Sequence, residues 1–168
     1  MNKGVFNFST DKILSVSAII IAIASIFVAI WQGIETRKHY RLSVRPKLQI
    51  TFNVDKEKFG YIILNNGLGP ATISGKKIFI DGEEMTNPGF SGYDELIDKL
   101  DFKNRQKSHS ALNPGTTIKA GETKDIFLVN KEQNDNLDEL LPAIYQRIVF
   151  EISYKSMYNE EFVYKFPD

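Results

Sequence analysis

The chain has 168 residues, with 21 basic and 21 acidic side chains, so its formal net charge at pH 7 is zero. That balance argues against a dedicated nucleic-acid binder, which needs an excess of lysine and arginine for its phosphate contacts. No cysteine is present, which removes disulfides, thiolate nucleophiles and cysteine-based zinc sites from consideration.

Residues 1–12 form a short arm carrying Lys3 and Lys12. Its Asn7-Phe8-Ser9 fits a glycosylation acceptor pattern, but the tripeptide is common and close to the apolar stretch that follows, so it carries no weight here. From Ile13 to Trp31 the chain reads ILSVSAIIIAIASIFVAIW, without a charge. At about 1.5 Å per residue this covers about 28 Å, close to the hydrocarbon thickness of a bilayer. Extended to Ile34, residues 13–34 are read as a transmembrane helix. A buried core helix is shorter and amphipathic, and a signal peptide has a shorter apolar region and a small-residue cleavage site; this run leaves through Trp31, Gln32 and basic residues.

Within the helix, Ser15, Ala18, Ala22, Ser25, Ala29 and Gln32 follow one another at spacings of three and four, on one stripe. Small residues let helix backbones approach in lipid, and serine or glutamine can bond across the contact. The stripe points to a homo-oligomer or a membrane-protein partner, with the isoleucine-rich faces left to lipid. Residues 35–45 form a basic juxtamembrane linker that continues the helix to about Leu42. Arg37, Lys38, Tyr40 and Arg41 are expected at lipid headgroups, with His39 an interfacial residue. The basic excess on this side places the C-terminal part in the cytoplasm and the N-terminal arm outside.

Pro46 disfavours helix at Arg45 and opens the second domain, residues 46–168. Leu48, Ile50, Phe52 and Val54 alternate with polar residues, as a half-buried strand requires. Further strands are expected over 61–65, 77–81, 124–129, 147–154 and 162–166, with turns at Asn65-Asn66-Gly67, Asp81-Gly82, Asn113-Pro114-Gly115, Ala120-Gly121-Glu122 and Tyr158-Asn159-Glu160. Short strands separated by such turns predict a mainly β fold, an antiparallel β-sandwich or small barrel with one or two short helical insertions.

Tyr93, Leu96, Ile97 and Leu100 have helical spacing after a possible cap at Ser91, and a second short helix is expected over 136–141, capped by Asp135 or Asn136. The first lies in an insertion, residues 83–111, longer than a minimal sandwich needs. Phe90, Tyr93, Leu96, Ile97, Leu100 and Phe102 are therefore candidates for contact with a protein partner, the alternative being that they cover a sheet edge.

The chemistry-bearing patterns are weak. NNGLGPAT, residues 65–72, lacks the third glycine of a dinucleotide loop and the ending of a P-loop, and Pro70 removes a backbone donor, so it reads as a structural turn. Residues 134–139 lack the glycine and the spaced glutamate of a calcium loop. The two histidines, His39 and His109, are far apart. No catalytic, cofactor or metal residue is assigned, although a tethered hydrolase using His109 or convergent carboxylates stays open.

RLSVRPKL, residues 41–48, followed by NNGLGPATI, an IDG turn and SYKSMY, resembles a group of uncharacterised bacterial single-pass membrane proteins. The Asn-x-Gly-x-Gly-Pro-Ala turn and the later AGET turn also resemble immunoglobulin-like bacterial domains, without their cysteine pair or core tryptophan. With that resemblance, the expectation is a non-enzymatic, membrane-anchored interaction or assembly module at the bacterial inner membrane; the alternative is a ligand-sensing effector, as in anti-phage defence, that oligomerises through its helix and perturbs the bilayer.

Overall fold

The computed structural model describes residues 10–85, 90–102, 104–110, 112–133 and 135–167. The Asn7-Phe8-Ser9 motif, most of the N-terminal arm and the Phe90 side chain lie outside that set. The chain divides into a helical unit ending at Leu42 and a compact unit from Ser43 onward.

The described residues of the first unit lie in one helix, α1, Thr10–Ser43, with none of its residues buried. It is long and apolar enough to cross a membrane. Its 34 residues span about 51 Å, so the polar turns after Ile34 continue beyond the apolar stretch, as the linker composition predicts.

In the second unit the elements run β1 Leu48–Val54, β2 Lys58–Asn65, β3 Ala71–Ile80, β4 Glu83–Glu84, α2 Phe90–Lys99, β5 Lys107–Ser108, β6 Thr117–Ile118, β7 Thr123–Asn130, α3 Leu137–Arg147, β8 Ile148–Lys155 and β9 Glu161–Phe166. They form two antiparallel sheets, ordered β1-β2-β7-β5 and β4-β3-β8-β9, with β6 paired to β3. The predicted β-sandwich is therefore the fold, and its strand order is that of immunoglobulin-type sandwiches. Inward side chains of both sheets, among them Ile50, Tyr61, Ile63, Ile78, Phe127, Phe150 and Ile152, share one buried core.

Local chemistry explains where the strands turn. Asp81 and Gly82 both have positive φ, 53° and 85°, the conformation a tight β3–β4 hairpin requires and an Asp-Gly pair tolerates. Arg147 holds that turn with hydrogen bonds of 2.9 and 2.8 Å to the two Asp81 oxygens, and donates a third, of 3.1 Å, to the Lys99 carbonyl at the end of α2. The paired guanidinium keeps the Asp81 carboxyl below the usual carboxylate range. At the end of α2, Asp101 is left-handed and Phe102 N bonds Ile97 O, which closes the helix and packs Phe102 into the core.

The loop between β2 and β3 is ordered by one side chain. Asn65 has no solvent exposure. Its Nδ2 donates to the carbonyls of Gly69 (2.8 Å) and Ile118 (3.0 Å), and its Oδ1 accepts from Lys47 N (3.1 Å) and Gly67 N (3.0 Å). The glycines serve close approach: a Cβ on Gly67 would overlap the backbone of Arg45 to Lys47, and one on Gly69 the Val44 carbonyl. NNGLGPAT thus wraps the segment that enters β1, which is a structural use of its glycines.

Several boundaries differ from those predicted. β3 begins at Ala71 rather than Lys77, because Ser74-Gly75 is a bulge within the strand and not a break. α3 continues through Pro142 to Arg147 instead of ending at Leu141. α2 starts at Phe90, which puts Ser91 inside the helix and not at its cap. Asn136 occupies the cap of α3 without a side-chain bond, and Asp135 is engaged elsewhere.

Candidate functional site

An open apolar concavity of the sandwich lies where β1 ends beside α3. Phe52, Val54, Leu141, Pro142, Tyr145 and Gln146 line a cavity of about 380 Å³. The strand alternation that buries Leu48 and Ile50 carries on to Phe52 and Val54, but the core has thinned by then: Phe52 is half-buried and Val54 is 44% exposed. From the helix, Leu141 and Tyr145 reach the same groove because four residues make about one turn. Tyr145 is 45% exposed, with its ring edge-on to Phe166 at 5.4 Å.

β1 is an edge strand whose ladder partner is β2. Ile50 N points away from β2, to the Tyr164 hydroxyl at 3.4 Å, and the antiparallel alternation turns the backbone groups of Phe52 and Val54 to the same outer edge. The groove therefore combines apolar walls with a strand edge that has no ladder partner among the described residues. Behind it, Phe52 meets the buried Tyr61 ring at 4.9 Å. The Tyr61 hydroxyl is buried without a hydrogen-bond partner among the described residues, and burial, with a smaller contribution from Tyr145, raises its pKa.

The sequence-predicted residues fall elsewhere. Tyr93, Leu96, Ile97, Leu100 and Phe102 are each no more than 5% exposed, so the predicted partner surface of the 83–111 insertion is corrected: these side chains are core. The spacing that marks an amphipathic helix also marks the face that it buries. His109 packs tilted against Tyr93, with ring centroids 5.2 Å apart. Asp135, in the calcium-like stretch, takes two hydrogen bonds from Arg105, of 2.6 and 2.7 Å, and among the described residues no group of three or more acidic or histidine side chains is placed to hold a metal.

On α1, the stripe of Ser15, Ala18, Ala22, Ser25, Ala29 and Gln32 is exposed throughout, as are Arg37, Lys38, Tyr40 and Arg41. Ser15 and Ser25 each donate their hydroxyl to the carbonyl four residues earlier, at 2.8 Å. Their donors are spent within the helix, so the stripe offers smallness and acceptor oxygens, with Gln32 its one side-chain N–H donor. Sequence reasoning did not find the groove. Phe52 and Val54 were legible as the inward parity of β1, but their exposure depends on where the core ends.

An apolar helix joined to an antiparallel sandwich, with an open groove on an edge strand, defines a class: single-helix proteins carrying a β-sandwich domain. Within it, this chain belongs to the family described as Domain of unknown function (DUF8453), whose model matches residues 13–167. No curated protein matches the chain.

Proposed function

We propose that this is a membrane-anchored, non-enzymatic interaction module at the bacterial inner membrane, with the sandwich in the cytoplasm, docking an extended segment of a protein partner against β1. The observation that carries this reading is the groove between Phe52, Val54, Leu141 and Tyr145, open beside the outer edge of β1, which has no ladder partner among the described residues. An added strand would satisfy the outward backbone groups while its apolar side chains fill the cavity. The charge flanks of α1 support the orientation: Arg37, Lys38, Arg41, Arg45 and Lys47 follow the apolar stretch, against Lys3 and Lys12 before it. The stripe supports a second arrangement, in which α1 self-associates.

In-cell crosslinking of the full chain separates these ideas. Tyr145→Glu, at an exposed position, should abolish the adduct with a partner and leave any homo-oligomer intact; Ala22→Ile with Ala29→Leu should do the reverse. An adduct unchanged by Tyr145→Glu overturns docking at the groove.

A further inference from the structure

Lys76 is turned toward the sandwich interior by one extra residue. Ile73 pairs with Tyr154 and Gly75 with Ser153, which leaves Ser74 without a counterpart across the ladder and shifts the facing of every later residue in β3. Ile78 and Ile80 then point into the core, and Lys76 shares their parity, whereas Lys77 is exposed. The half-buried Lys76 Nζ donates to Tyr93 Oη at 2.9 Å and lies 4.3 Å from the centroid of that ring. Tyr93 itself is 1% exposed.

Among the described residues no carboxylate pairs with this amine; its polar partner is a neutral phenol. An inward lysine can serve simply to guard a strand edge, since β4 and β6 cover only the two ends of β3. A guard needs its charge, and this setting works against the charge: burial lowers the Lys76 pKa to about 8.

We propose that Lys76 is a nucleophilic amine that accepts an acyl group from an activated donor, either a thioester or an acyl phosphate. The neutral Nζ attacks the acyl carbon; a C–N bond forms, the C–S or C–O bond breaks, and the thiolate or phosphate leaves with the bonding pair. The surplus amine proton passes to water. The product amide is uncharged and keeps one N–H for Tyr93 Oη.

Magnitudes favour selectivity. At pH 7 about 10% of such an amine is neutral, against ~0.04% of an ordinary lysine, a gain of roughly 250-fold. A lower pKa also weakens the nucleophile, by about ten-fold over this range if amines follow the trend seen for thiols. About 20-fold remains before partial burial slows access.

The test is per-lysine mass spectrometry of the full-length protein in detergent, incubated at pH 7.5 with acetyl phosphate in one arm and acetyl-coenzyme A in the other. Lys76 should acylate at least five-fold faster than its neighbour Lys77 in one arm or both, and the faster arm names the donor class. Its rate should level off above about pH 8.5. A Lys76 to Lys77 ratio below five in both arms overturns the assignment.

Discussion

Arg105 grips Asp135 through two parallel hydrogen bonds of 2.6 and 2.7 Å, with both side chains largely withdrawn from water, at 13% and 8% exposure. The guanidinium also lies 4.9 Å from the Phe102 ring centroid, and Asp135 accepts from Glu132 N at 2.8 Å. One ion pair thereby ties the segment after α2 to the approach of α3.

Removing one member of this pair leaves a shielded charge alone. Arg105→Met should cost about 3 kcal/mol in urea unfolding, and Arg105→Met with Asp135→Leu should recover most of it. The Asp135 carboxyl is held below its ordinary value, chiefly by its hydrogen bond from Arg105, so the stabilisation is complete above about pH 4 and is lost as pH falls through the depressed folded value. Acid titration of the wild type and the double variant should diverge in that range. A double variant as unstable as the single one would sink the argument.

Asn65 is the second test. Its side chain satisfies four backbone groups in three segments, so Asn65→Ala strands two carbonyls and two N–H groups at once, and a loss of about 3–4 kcal/mol is expected. Asn65→Asp keeps the shape but sets carboxylate oxygen against the Gly69 and Ile118 carbonyls; it should do no better. Thermal melts of both variants decide this, and a loss under about 1 kcal/mol would show that water replaces the side chain.

Lys76 gives a prediction with a definite sign. Its pKa falls from an unfolded value near 10.5 to about 8 in the fold, so the fold disfavours the ammonium and pays the full penalty below pH 8. Between pH 8 and 10.5 the unfolded chain holds more protons, and stability rises with pH from this group. Lys76→Met should therefore be the more stable protein at pH 7, by about 1 kcal/mol once partial exposure is allowed for, and the advantage should shrink as pH rises toward 10. A gap independent of pH would assign it to packing alone.

The helix and the sandwich were legible because each has a period that physics enforces: an uncharged run of bilayer length, and strict alternation in Leu48 to Val54 and Ile148 to Tyr154. Asp81-Gly82 was legible because few dipeptides accept two positive φ angles. The site was not. Tyr93 to Leu100 announced an amphipathic helix without saying what it packs against, and exposure at Val54 and Tyr145 follows from sheet edges that form between distant segments. The two-residue strands β4, β5 and β6 are too short to carry a period at all.

Ser74 looks inert, an exposed residue with no counterpart across the ladder. Yet it acts as a parity switch for half a strand. Were Ser74 paired in an unbroken ladder instead of skipped, Lys77 and Phe79 would swing inward while Lys76, Ile78 and Ile80 turned to water. The contrast between a shielded lysine and an exposed one next to it is thus written in the bulge of β3, not in the chemistry of either residue.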